Sequence, residues 1–320
     1  MTSIFAKESE AKDVAAHYAP QIANKVILTT GVSPGGLGAF FVETIAAQKP
    51  KLLILAGRDT TKTQETADAI AKAHPNVKTR NLKLDLSDQK QIWEAAKEVL
   101  GYEENIDVLV NNAAVMACPY SKTKDGLEMQ FGTGHIGHFL FTNMILKKVL
   151  EVKGRVINVS SDGHRFSPIR FDDWGFSDGK TYDKWRAYGQ TKTANMLFSV
   201  ALAERYGSQG LTAASLHPGA IWTNLGRHLD KEVGFDDLLA LDKELDNYES
   251  KYEFQFKNFE QGTATHVYAA FEPSIAEVNG AYCIDARVGK PNEIRNNATD
   301  KEQAAKLWKL SEEILGQTFE

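Results

Sequence analysis

Lys25-Val26-Ile27-Leu28-Thr29-Thr30-Gly31-Val32-Ser33-Pro34-Gly35-Gly36-Leu37-Gly38 is the stretch that decides how this chain folds. Its first six residues form a short, β-branched, apolar run, the composition of a buried strand. Gly31 ends the run, Ser33-Pro34-Gly35-Gly36 are turn formers, and an amphipathic helical pattern follows from Leu37 to Gln48. Between a strand and a helix, glycines let the backbone approach a pyrophosphate. The helix N-terminus there adds free N–H groups and the positive end of its dipole. A glycine-rich turn alone is a weak signal; after the first strand of a βαβ unit it points to a nucleotide.

The pattern repeats outward from that stretch. Strands are predicted at Leu52–Ala56, Val77–Leu84, Asp107–Val110, Arg155–Val159 and Leu211–Leu216. Helices are predicted from Lys62 to Ala73, from a cap at Ser87 to Leu100, from Leu127 to Leu150 and from Lys184 to Ser208. Strands apolar on both faces and separated by helices imply a parallel sheet covered on both sides. The expected fold is therefore α/β, a doubly wound, mostly parallel sheet in a single domain over residues 25–320. Residues 1–24 read as an N-terminal extension carrying a short surface helix. Two stretches break the rhythm. Arg165 to Asp183 is polar and aromatic and reads as a loop. Residues 224–257 are charged, with aromatics at Phe235, Tyr248, Tyr252, Phe254 and Phe256. Lying after the sixth strand, they are placed to cover a site at the carboxyl end of the sheet, as a substrate lid; a solvated helical pair is the alternative.

Composition narrows the function. Apolar residues make up 42% and charged residues 25% of the 320, ordinary for a soluble globular enzyme. A net charge of −5 argues against nucleic acid as a partner. Cys118 and Cys283 are the two cysteines, without metal-type spacing, and no run reaches the length of a membrane span. Met1 to Pro20 mixes acidic and basic residues and resembles neither a signal nor a transit peptide, so a reducing cytoplasmic location is expected.

The chemistry centres on Tyr188-Gly189-Gln190-Thr191-Lys192. Four residues is just over one helical turn, so the phenol and the ammonium share a face. Free tyrosine titrates at about 10, and bringing it to neutrality takes about 4 kcal/mol of preferential stabilisation of the phenolate. A neighbouring cation in a partly dry site has the right sign. After the second strand stands Gly57-Arg58. A carboxylate there would hold a ribose 2′-OH and favour NAD, whereas Arg58 suits a 2′-phosphate and favours NADP(H); Asp59 keeps NAD(H) open. His135 and His138, three apart, lack a third ligand at suitable spacing, so no metal site is expected. His164 and His217 read as structural or substrate-facing.

Six motifs in order carry a resemblance. They are the glycine turn, Asp85-Leu86 after the third strand, Asn111-Asn112-Ala113-Ala114 after the fourth and Ser160-Ser161 after the fifth. Tyr188 with Lys192, then Pro218-Gly219-Ala220-Ile221-Trp222-Thr223 after the sixth strand, complete the series. From about Lys25 to Asp285 the chain resembles the short-chain dehydrogenase/reductase family, a Rossmann fold. Through Phe131-Gly132-Thr133-Gly134-His135-Ile136-Gly137-His138-Phe139 and His217-Pro218-Gly219 it looks most like the retinol-dehydrogenase-like group and related fungal pathway reductases. The resemblance implies an NADP(H)-dependent oxidoreductase, such as a ketoreductase of secondary metabolism, acting between carbonyl and alcohol on a fairly large apolar molecule. It implies Tyr188 as general acid or base, Lys192 lowering its pKa and holding the nicotinamide ribose, and Ser161 rather than Ser160 on the substrate oxygen. Cofactor contacts are implied for Gly31, Ser33, Gly36, Leu37, Gly38, Arg58, Asp85, Leu86, Asn112, Ala113, Tyr188, Lys192, Pro218, Gly219, Ile221 and Thr223. Homodimers are common in the family.

Two departures stand out. The glycine turn carries one extra residue between Gly31 and Gly36, which Gly35 has the freedom to absorb. Gly134 stands where the family usually has Asn, the member of its catalytic group that helps hold a water linking the lysine to solvent. That substitution leaves open a redox-neutral isomerase or cyclase. A non-catalytic NADP-sensing protein is a further alternative, opposed by the presence of Ser161, Tyr188 and Lys192 together.

Overall fold

The computed structural model describes residues 4–229, 236–247 and 256–320. Helices α1 (Ala11–His17) and α2 (Ala19–Ile22) precede β1 (Val26–Thr30). Then come α3 (Leu37–Ala46), β2 (Leu52–Gly57), α4 (Thr60–Ala73), β3 (Thr79–Lys83), α5 (Gln89–Leu100) and β4 (Val108–Asn111). The second half holds α6 (Met129–Phe131), α7 (Gly137–Leu150), β5 (Arg155–Val159), α8 (Lys184–Tyr206) and β6 (Thr212–His217). It closes with α9 (Asp236–Glu244), α10 (Phe259–Phe271), β7 (Tyr282–Ile284), β8 (Arg287–Val288) and α11 (Lys301–Leu315).

The strands form one sheet in the order β3-β2-β1-β4-β5-β6-β7-β8. The first seven are parallel, and β8 returns antiparallel to β7 through Cys283 and Val288. Alternate residues of β1 face opposite layers. Val26 and Leu28 join the core beneath α5, α7, α8 and α11, and Ile27 joins the one beneath α1, α3, α4 and α10. With both faces covered, every residue of β1, β2 and β4 is buried, which is why their sequences read as continuous apolar runs. Strand order reverses between β1 and β4, so a crevice opens at their carboxyl ends. Among the described residues no helix is long and apolar enough to cross a membrane.

Several elements differ from the sequence reading. The N-terminal helix is not a surface appendage. Ala11, Val14, Ala15, Tyr18 and Ile22 are buried against α3 and α10, because small side chains let α1 approach closely. Asp88, not Ser87, caps α5, accepting from the Gln91 N–H at 3.3 Å, while Ser87 donates its hydroxyl to Asp85. The predicted helix Leu127–Leu150 starts at Met129 and is widened by a π turn at Gly132–Ile136. Elements β7, β8, α10 and α11 had no place in the sequence reading. Of the lid aromatics, Phe235, Tyr248, Tyr252 and Phe254 lie outside the described residues, whereas Phe256 stacks on Trp222 at 5.1 Å.

Helix α11 closes the layer over α7 and α8. Its Trp308 meets Phe139 edge-on at 4.8 Å, lies near Phe198 and Tyr206, and carries the Arg205 guanidinium 4.1 Å from its centroid. Ser311 bonds the buried His135 ring at 2.8 Å. Deleting an indole so enclosed leaves a cavity that neighbours on rigid helices cannot fill. Trp308→Ala should destabilise the chain by about 3–5 kcal/mol in urea unfolding. A loss below about 1 kcal/mol would mean that α11 is not part of the cooperative core.

Candidate active site

The glycine turn leaves β1 under tight constraint. Gly31 has φ +73°, and a Cβ there would sit 2.8 Å from the Ala113 Cα. At Gly38 a Cβ would meet Asn112 Nδ2 at 2.5 Å and Gly31 O at 2.6 Å. The Asn112 amide fills that space, donating to the Thr30 and Gly31 carbonyls at 2.8 and 3.2 Å. The extra residue is absorbed at Gly35, φ +75°, where Asn224 donates to the Pro34 carbonyl at 2.9 Å. Gly36 is the N-cap of α3 and brings no side-chain acceptor, so the first N–H groups of that helix face the crevice without one. The turn is thus a cradle for an anion, and Ser33, Gly36 and Leu37 line the same cavity.

One continuous cavity of about 1300 Å³ runs from this turn along the carboxyl ends of the strands. At one end stand Arg58, Asp59 and Lys62. The Asp59 carboxylate is committed as the cap of α4, accepting from the Thr61 and Lys62 N–H groups at 3.0 and 3.4 Å. Asp85 and Leu86 form the next part of the wall, with Asp85 Oδ1 accepting from the Ser87 N–H and hydroxyl. Asn112 and Ala113 follow, both N–H groups donating to Thr30 Oγ1 at 3.0 Å. Pro218, Gly219, Ile221 and Thr223 line the opposite side, Thr223 capping a 3₁₀ turn through the Leu225 N–H.

Ser161, Tyr188 and Lys192 meet in the middle of the cavity. Ser160 points elsewhere, its hydroxyl donating to the Lys192 carbonyl at 2.7 Å. Ser161 Oγ accepts from the Gly163 N–H at 3.0 Å, and its side chain acts to lower the Tyr188 pKa. Lys192 Nζ lies 5.5 Å from the Tyr188 ring centroid and donates to the Val159 carbonyl at 2.9 Å. Sequence reasoning expected Lys192 to pull the tyrosine pKa down. The protein's own groups do the reverse. Burial pushes Tyr188 up to about 12, only partly offset by its Ser161 bond, and burial brings Lys192 down to about 7. Both charges are penalised by the same dry surroundings, and the ammonium is turned to a backbone carbonyl instead of the phenol.

The π turn explains Gly134. A Cβ there would lie 2.5 Å from the Thr191 Cγ2, on the residue before Lys192. The Gly134 carbonyl is held by Asn195 Nδ2 at 2.8 Å and by His138 Nδ1 at 3.2 Å. An asparagine side chain there would strike Thr191. His135 and His138 form no pair: one bonds Ser311 and the other Thr30 Oγ1 at 2.9 Å.

Beyond Tyr188 the cavity has an apolar side. Met116, Phe166 and Trp185 surround the ring, and α9 lays Leu238 and Leu241 on them. Two ion pairs hold α9 to the start of α8, Lys184–Asp237 at 2.7 Å and Arg186–Glu244 at 2.6 Å. A more polar side carries His217, Asn292 and Arg295. Sequence reasoning missed Lys62, Asn224, Met116, Phe166, Trp185 and the whole 292–295 segment. Lys62 could have been found as the next cation after Arg58; the others carry no local signal.

The Gly134–Thr191 contact generates a test. Gly134→Asn should cost about 1–3 kcal/mol in urea unfolding through overpacking. Thr191→Ala, which removes the obstructing methyl, should recover most of that loss in the double variant. Additive losses in the double-mutant cycle would show that the two positions do not compete for this space.

A family model described as short chain dehydrogenase matches residues 25–172. The chain is 35% identical over 300 residues to the chloroplastic short-chain dehydrogenase TIC 32 A of Brassica napus, covering 90% of this chain and 88% of that protein. It is 36% identical over 301 residues to retinol dehydrogenase 12 of Mus musculus, covering 94% and 89%. Among solved structures, an uncharacterized protein from Mycobacterium paratuberculosis superposes with a TM-score of 0.67 at 29% identity, covering 94% of this chain and 98% of that one.

Proposed function

The chain belongs to the short-chain dehydrogenase family, and on that premise we propose that it is an NADP(H)-dependent oxidoreductase reducing a carbonyl on a large apolar molecule. The observation that carries this reading is the convergence of Ser161 and Tyr188 on one cavity with a phosphate cradle at one end and an apolar chamber at the other. The bound nicotinamide would supply the hydride. Gly31, Gly36 and the N-terminus of α3 would hold its pyrophosphate, and Arg58 with Lys62 would face its 2′-phosphate. Asp59 Oδ1 is engaged in capping α4, which supports the cations as the groups that select the cofactor.

The residues then divide one task. Ser161 donates to the substrate oxygen, and Tyr188, held protonated by burial, delivers a proton to it as negative charge develops. Lys192, with a pKa brought down to about 7, can pass a proton on at neutral pH. The protonated phenol is the form that carbonyl reduction requires of its proton donor. Helix α9 shields the chamber, the role expected of a lid. The Thr191 methyl beside Gly134 supplies a packing reason for the glycine, which supports the reductase reading over the redox-neutral one.

Two measurements test the reading. NADPH should bind at least tenfold tighter than NADH in fluorescence titration, since a charge-assisted contact contributes about 1.5–3 kcal/mol. Arg58→Ala should abolish the difference, and equal affinities in the parent chain would refute the choice of cofactor. Retinol-dehydrogenase relatives make all-trans-retinaldehyde the first substrate probe, alongside other large apolar aldehydes and ketones. Tyr188→Phe should keep NADPH binding and lower turnover about 10²–10⁴-fold. Near-normal turnover in that variant would place the proton donor elsewhere.

A further inference from the structure

His164 links the loop that carries Ser161 to a distant part of the chain. Its ring is buried within the 3₁₀ turn Asp162–Phe166 and set edge-on to Tyr282 at 5.4 Å. Nδ1 lies 2.8 Å from the Ser161 carbonyl oxygen, which can only accept. Nε2 lies 3.3 Å from the backbone nitrogen of Arg295, which can only donate. One neutral tautomer, protonated at Nδ1, satisfies both contacts. The imidazole therefore links the serine beside Tyr188 to a segment 131 residues beyond His164, the one that brings Asn292 and Arg295 to the cavity wall.

That segment is anchored elsewhere too, Ile294 packing with Met196, Tyr282 and Ala298. Arg287 holds Glu293 through two bonds of 2.8 and 2.6 Å, fixing the end nearest β8. Past Glu293, His164 is the hydrogen-bonding side chain that ties the wall to the Ser161 loop. The loop has further ties of its own: the Asp162 N–H donates to His217 Nδ1 at 3.1 Å, and the Thr193 hydroxyl donates to the His164 carbonyl at 3.0 Å. None of these reaches the Asn292–Arg295 wall.

We infer that His164 is a positioning residue with two separable functions: one ring nitrogen orients Ser161, and the other docks the Asn292–Arg295 wall that receives the far end of the substrate. This rests on the reading of Ser161 as the group that contacts the substrate oxygen. Alignment of the serine and seating of the substrate are thereby coupled through a side chain that touches neither substrate nor cofactor.

The two functions can be taken apart in the full-length chain. In His164→Asn the amide nitrogen stands near Nδ1, so the bond to Ser161 is kept and the one to Arg295 is lost. In His164→Gln the amide oxygen reaches toward Nε2, keeping the second contact at the expense of the first; His164→Leu loses both. Hydrogen exchange of peptides 160–166 and 291–298, NADPH affinity, and kcat and KM with all-trans-retinaldehyde are measured on all three. The leucine variant should exchange at least tenfold faster in both peptides and lose at least tenfold in kcat, with NADPH affinity within twofold of the parent. Asparagine should recover most of the kcat and the protection of 160–166, leaving KM raised at least threefold and 291–298 unprotected. Glutamine should protect 291–298 and keep KM, with kcat low. Unchanged exchange of 291–298 in the leucine and asparagine variants, or equal kcat losses in asparagine and leucine, would overturn the inference. If the parent does not turn over retinaldehyde, the choice of substrate fails, and the exchange pattern still decides the two contacts.

Discussion

The hydroxyl of Thr30 is the point on which the site depends. It accepts from the Asn112 and Ala113 N–H groups and meets His138 Nε2, so it ties the ends of β1 and β4 together where the strand order reverses. Two parallel strands diverging from a switch point would otherwise leave those N–H groups unpaired at the floor of a crevice. With them satisfied, Gly31 can pass within contact of Ala113, and the Asn112 amide can brace the turn from below. The His138 ring carries the connection on to the Gly134 carbonyl in the π turn. A single buried hydroxyl thus fixes the glycine turn relative to the π turn that packs against Thr191.

Helix α8, which carries Tyr188 and Lys192, is enclosed on several sides. The sheet covers one side of it, α7 and the π turn another, and α11 a third. Such burial gives Tyr188 and Lys192 precise placement and removes the water that would support their charges. The consequence is a phenol that stays protonated and an ammonium that gives up its proton near neutrality. Rigidity and proton chemistry therefore come from the same packing.

Crowding around α8 also decides what its neighbour can be. The Thr191 methyl occupies the space into which a side chain at position 134 would project, and the backbone widens there into a π turn. Gly134 is a packing solution shared by two helices. The N-terminal residues show the same principle on the other face, where the alanines of α1 settle against α10 and become core.

Local pattern was enough to determine the α/β fold, the parallel sheet and the place of the glycine turn. Strands buried on both faces must be apolar throughout, and turns must carry residues that tolerate their backbone angles. The same logic put Ser161, Tyr188 and Lys192 within reach of one another, since each follows a strand end or shares a helical face. Tertiary structure decided what depends on residues distant in the chain. The burial of α1, the Thr191 methyl beneath Gly134 and the Arg295 contact of His164 are all of this kind. So is the direction of the Tyr188 pKa. Spacing to Lys192 is local, but the desolvation that outweighs it comes from Phe166, Trp185 and α9, which the fold brings together from separate parts of the chain.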